Sequence, residues 1–126
     1  MKRYMLLPED SIELLRAQDE AEAAVCVFCE RTMILFPCSK IEAVSIQRSV
    51  TEDRLHPVDC LELLARDTLF DAQQAVLIPV TRQDYPDFLQ ALEAQCDLSE
   101  GDLRPDGKPS AQAFIIVHAA RHFCRQ

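Results

Sequence analysis

AAVCVFCERTMILFP, from Ala23 to Pro37, is the pivot of the chain. Its runs Ala23–Cys29 and Thr32–Phe36 are rich in β-branched and aromatic residues, Glu30-Arg31 separates them, and Pro37 ends the second. Together they read as a hairpin at the core. The same letters admit a competing reading: alanines lead the stretch and no glycine marks a turn, so both runs can instead extend a helix arriving from upstream. A strand sends Cys26 and Cys29 to opposite faces, whereas a helix brings them together. The choice therefore bears on chemistry as well as architecture.

On the N-terminal side, Lys2–Leu7 is a short apolar segment suited to an edge strand and stopped by Pro8. Asp10 or Ser11 then offers an oxygen to cap a helix over Ile12–Glu22, with Ile12, Leu14 and Leu15 as its buried stripe. On the C-terminal side, Ile41–Val50 alternates through Ile41, Ala43/Val44 and Ile46 as a half-buried strand of the same sheet. Pro57 at a first-turn position, followed by Val58, Leu61, Leu64 and Ala65, marks a helix over Pro57–Asp67. Ala75–Val80 is a short apolar strand whose Pro79 cannot donate to a ladder and so lies at an edge or a strand end. Asp84 caps a helix over Pro86–Cys96, and Asp97–Pro109, with both glycines, is the one long loop. In Ser110–Cys124, Ala113, Phe114, Val117, Ala120 and Arg121 fall in helical register.

These elements predict a single α+β domain over residues 1–126, with four to five mostly antiparallel strands covered by three to four helices. An α/β arrangement is the alternative, because the second half alternates helix, strand and helix. The 126 residues, 48% hydrophobic and 27% charged, suit one globular core.

Composition excludes more functions than it suggests. With only 2 glycines, neither a Walker A loop nor a dinucleotide-binding fingerprint can be written. A formal charge of −8 disfavours direct nucleic-acid binding. The acid is clustered: Glu9, Asp10, Glu13, Asp19, Glu20, Glu22 and Glu30 are set against Arg16 alone, and a second cluster runs from Asp84 to Asp106. From Gly107 onward Lys108, Arg121 and Arg125 stand without any acid. The apolar run Tyr4–Leu7 is too short for the core of a secretion signal, and no run approaches a membrane span. A cytoplasmic protein with no membrane contact and six reduced cysteines is the expectation. Without tryptophan, and with Tyr4 and Tyr85 its only tyrosines, the chain lacks a platform for stacked bases or sugars. The 6 phenylalanines fit a core.

Three constellations could carry function. Cys26-Val27-Phe28-Cys29 has C-x2-C spacing with Cys38 nearby, while His118 and His122 lie one helical turn apart. Cys26, Cys29, His118 and His122 therefore form one candidate zinc site. Val and Phe occupy what should be a tight knuckle, so buried thiols and a histidine pair at a helix C-terminus are the plainer readings. No glutamate follows His118, which excludes the zinc-protease motif. Second, His56-Pro57-Val58-Asp59-Cys60 puts Cys60 near the start of an expected helix, whose dipole would lower the thiol pKa. A thiol enzyme would pair Cys60 with His56 or His118, yet no segment supplies an oxyanion site.

The third constellation is the acid itself. By elimination the sequence points to a non-enzymatic interaction protein without cofactor, an inhibitor, adaptor or regulator engaging a basic surface of a partner protein. Glu9, Asp10 and Glu13, with Asp97, Glu100 and Asp102, are the residues expected to make that contact, and imitation of nucleic-acid charge is one form it would take. The zinc-stabilised module and the thiol enzyme are the alternatives.

Overall fold

The hairpin reading of Ala23–Pro37 holds, and the coat of helices does not. The computed structural model describes residues 1–19, 21–51, 56–66 and 72–95, and the backbone of 114–116. In chain order the elements are β1 (Lys2–Met5), β2 (Ser11–Leu15), β3 (Ala24–Cys29), β4 (Thr32–Pro37), β5 (Ile41–Val50), β6 (Val58–Arg66), β7 (Gln73–Pro79), α1 (Tyr85–Gln95) and β8 (Phe114–Ile116). A five-stranded sheet runs β1-β7-β6-β5-β8 and a three-stranded sheet runs β2-β3-β4. Among the described strands, only β1 and β7 pair in parallel. The α+β expectation and its α/β alternative both give way to a mostly-β architecture with one helix among the described residues. That helix is too short to cross a membrane.

β3 and β4 pair without a break from Cys29↔Thr32 to Ala24↔Pro37. Glu30 and Arg31 make the turn with φ of 50° and 62°. Two successive left-handed residues are what a tight hairpin of the I′ type requires, and here they are reached without glycine.

The helix expected over Ile12–Glu22 is instead β2 and the turn after it. Asp10 does not cap forward: its Oδ2 accepts the Leu7 N–H at 2.8 Å, and its own N–H donates to the Leu7 carbonyl at 3.0 Å. The carboxylate closes a turn behind itself, and β2 then alternates, with Ile12 buried and Ser11 and Glu13 exposed. The helix expected over Pro57–Asp67 is β6, hydrogen-bonded to β5 on one flank and β7 on the other. Leu61, Leu63 and Ala65 face the core, a period of two that pairing on both sides imposes on a leucine-rich segment. At Phe114–Ile116 the expected C-terminal helix is a strand beside β5, in keeping with its adjacent β-branched isoleucines. The rest of Ser110–Cys124, and Asp97–Pro109, lie outside the described residues.

β1 is an edge strand, α1 begins and ends within a residue of its expected bounds, and β7 ends at Pro79; β5 spans its expected residues but joins the five-stranded sheet between β6 and β8, not the sheet of the hairpin. One core joins the two sheets and α1: Val25, Val27 and Phe36 meet Val44, Ile46, Leu61, Leu63, Val76 and Ile78, with Tyr85, Phe88 and Leu92 of the helix. Each such side chain contributes roughly 1.5–3 kcal/mol by leaving water.

Arg82 fastens the parts together. Its guanidinium donates to the Leu7 carbonyl and the Asp10 carbonyl, both at 2.7 Å, and to Asp84 Oδ1 and Oδ2 at 2.8 and 3.0 Å. The turn between β1 and β2 is thereby pinned to the start of α1, where the Asp84 carbonyl accepts the Phe88 N–H. A second polar fixture sits on β5, whose register with β6 shifts between Gln47 and Val50, with Ser49 at φ 54°. Asp59 holds this bulge by accepting the Ser49 N–H at 3.0 Å and Arg48 Nη1 at 2.9 Å.

Candidate functional site

Pleating sends alternate side chains of the three-stranded sheet to opposite faces. Ile12, Val25, Val27 and Phe36 turn to the core, and Ser11, Glu13, Cys26, Phe28, Met33 and Leu35 turn away from it. Phe28 is 52% exposed, Met33 62% and Leu35 48%. Register puts Phe28 opposite Met33 and Cys26 opposite Leu35, with Ser11 and Glu13 beside Phe28 and Cys26 on the β2 side. These side chains form one apolar patch. A lone exposed leucine is ordinary surface, whereas contiguous apolar side chains on a sheet face mark an interaction surface.

At the hairpin end of the patch a cleft of about 580 Å³ opens, and Phe28 belongs to both. Arg3, Tyr4, Met5, Leu7, Glu9, Asp10, Cys29, Glu30 and Arg31 complete its walls. The volume suits a small ligand. The walls mix both signs of charge, and Lys2 Nζ stands 3.7 Å from Glu30 Oε2 in a pair too exposed to contribute much. A second cleft, beside Pro8, Thr81, Gln83 and Asp84, is floored by the engaged Arg82.

The structure brings part of the expected acidic contact together. Glu9 and Asp10 line the cleft, and Glu13 stands on the open face beside Cys26. Asp10 is committed to its turn through both its carboxylate and its carbonyl. Asp97, Glu100 and Asp102 lie outside the described residues.

The cysteine constellations fare differently. Cys26 and Cys29 carry free thiols on opposite faces of β3, Cys26 half-buried and outward, Cys29 buried and inward. Burial pushes both thiols above their ordinary pKa; Glu13 adds to the shift of Cys26, and Asp10 and Glu30 add to that of Cys29. Each is thereby a poorer nucleophile at neutral pH than an ordinary cysteine. His118 and His122 lie outside the described residues, among which no group of three or more metal-binding side chains converges. Cys60 is buried in the middle of the large sheet, its Sγ 3.9 Å from the Val58 carbonyl. Because β6 replaces the expected helix, the dipole that was to activate Cys60 is missing there.

Sequence reasoning missed Phe28, Met33 and Leu35. The signal was present in the hairpin itself, where both strands are apolar on both sides, a pattern that calls for a cover on each face. No family model, curated protein or solved structure matches this chain.

Proposed function

We propose that this chain is a protein-binding module of the adaptor, inhibitor or regulator kind, docking its partner on the open face of the three-stranded sheet. The observation that carries the reading is the contiguous, half-exposed set Phe28, Met33 and Leu35. The partner surface that fits it is an apolar centre ringed by Lys and Arg. Support for the basic ring comes from the charge of the segment that builds this sheet: between Glu9 and Glu30 the acids are opposed by Arg16 alone, and Glu13 stands on the face itself. An apolar centre supplies most of the affinity, and the surrounding acid speeds and orients the encounter.

The test uses a partner recovered by affinity capture with the wild-type chain. Serine at Phe28, Met33 and Leu35 together is expected to weaken binding at least ~10-fold, about 1.4 kcal/mol, with circular dichroism unchanged. Glu9→Gln with Glu13→Gln is expected to slow association and flatten its salt dependence while leaving dissociation nearly as it was. A partner indifferent to the triple serine change would remove this face as the docking site.

A further inference from the structure

Among the described residues, three of the four edge strands are charged, in contact with the helix or, in β8, only three residues long. β1, one outer strand of the large sheet, carries Lys2 and Arg3, charges that discourage further pairing. β2 has α1 packed against it. β4 is TMILFP, with no charged residue, no bulge in its register and, among the described elements, extensive contact with β3 alone. The two-residue turn dictates which backbone groups that edge offers. Cys29 and Thr32 flank the turn and exchange hydrogen bonds, as do Val27 with Ile34 and Val25 with Phe36. Met33 and Leu35 therefore aim their N–H and C=O groups outward, and Pro37, the next in that series, has no N–H to offer.

We propose that this edge pairs antiparallel with β4 of a second copy of the chain across a two-fold axis. Met33 of each copy lies opposite Leu35 of the other, and Ile34 sits at the dyad. This register uses all four outward groups in four backbone hydrogen bonds. Sliding it one way sets Met33 against Pro37, which cannot donate; sliding it the other way sets Leu35 against Arg31, whose left-handed backbone leaves the strand. Phe28, Met33 and Leu35 of both copies then lie side by side on one six-stranded sheet. Pairing of this kind leaves that face open and buries mainly the backbone edge and the flanks of the β4 side chains, an area toward the low end of stable interfaces, which implies a weak, concentration-dependent dimer. Each chain carries −8, none of it on β4, so the dimer strengthens as salt screens the two chains from one another. The inference extends the proposed docking face, doubling it, and is tested with no partner present.

The experiment is sedimentation velocity on the purified chain from roughly 5 to 500 μM, at low and high salt, with amide exchange followed by NMR. The expected result is a dimer fraction that grows with concentration and with salt, and Met33 and Leu35 amides whose protection grows in step. Leu35→Pro removes an outward donor without touching the ladder to β3, and is expected to raise the dissociation constant at least ~10-fold. A chain that stays monomeric throughout would overturn the proposal, as would a dimer that leaves those two amides unprotected. Should Leu35→Pro fold poorly, the exchange data on the wild-type chain still decide. A wild-type chain that never dimerises yet still binds its partner would sink this inference and leave the docking face standing; the two contacts are also told apart by salt, which is expected to weaken partner binding and strengthen dimerisation.

Discussion

Arg82 is the side chain on which most of the tertiary geometry converges, with two backbone carbonyls and a bidentate carboxylate around one nearly buried guanidinium. Arg82→Met keeps the stem and leaves those acceptors unanswered, so it should lose about 2–4 kcal/mol in urea unfolding. Arg82→Lys, a point charge in place of a planar fork, should recover less than half of that. A loss below ~0.5 kcal/mol for Arg82→Met would show that the clamp is incidental. Asp84, held by Arg82, and Asp59, held by the Ser49 N–H and then Arg48, both lie below the usual carboxylate pKa. Their folded forms take up a proton less readily than the unfolded chain does. The stability they lend is complete above the unfolded value near ~4 and is lost as pH falls through their lowered values. Urea midpoints should therefore drop on the acid side of about pH 4, and Asp59→Asn with Asp84→Asn should make that drop shallower. An equally steep acid limb in the double variant would place the effect in other carboxylates.

The Glu30-Arg31 turn sets two successive side chains in the left-handed region, which neither residue favours. Glu30→Asn with Arg31→Gly should stabilise the fold by about 1–2 kcal/mol, read as a higher thermal midpoint. An unchanged midpoint would mean that the turn is not strained. That turn also shows how far local letters carry. The hairpin, β5, β7 and α1 were legible because their residues agree with their surroundings: β-branched runs, a proline stop, a helical stripe in Phe88, Leu89 and Leu92. β2 and β6 were not, because SIELL and VDCLELLAR satisfy either period and only the strands beside them choose. The candidate site divides in the same way. Glu9 and Glu13 read as exposed acids from composition alone, while the exposure of Phe28, Met33 and Leu35 depends on which face of the hairpin the large sheet covers.

At the scale of the whole molecule, two sheets share one core, and the smaller of them turns an apolar face, with Glu13 on its β2 side, and an uncharged edge toward solvent on a chain of net charge −8. Neutral seam and acidic surroundings separate the two proposed contacts by their response to salt, which makes ionic strength the informative variable for this protein. The parallel pairing of β1 with β7 has a consequence of a different kind. Lys2 meets Gln74, and Arg82 reaches back to Leu7 and Asp10, so nearly the whole described chain must leave the ribosome before the outer strand has a neighbour. The β2–β3–β4 meander needs only its own residues, so the nascent chain acquires it first, with its apolar face uncovered while synthesis continues.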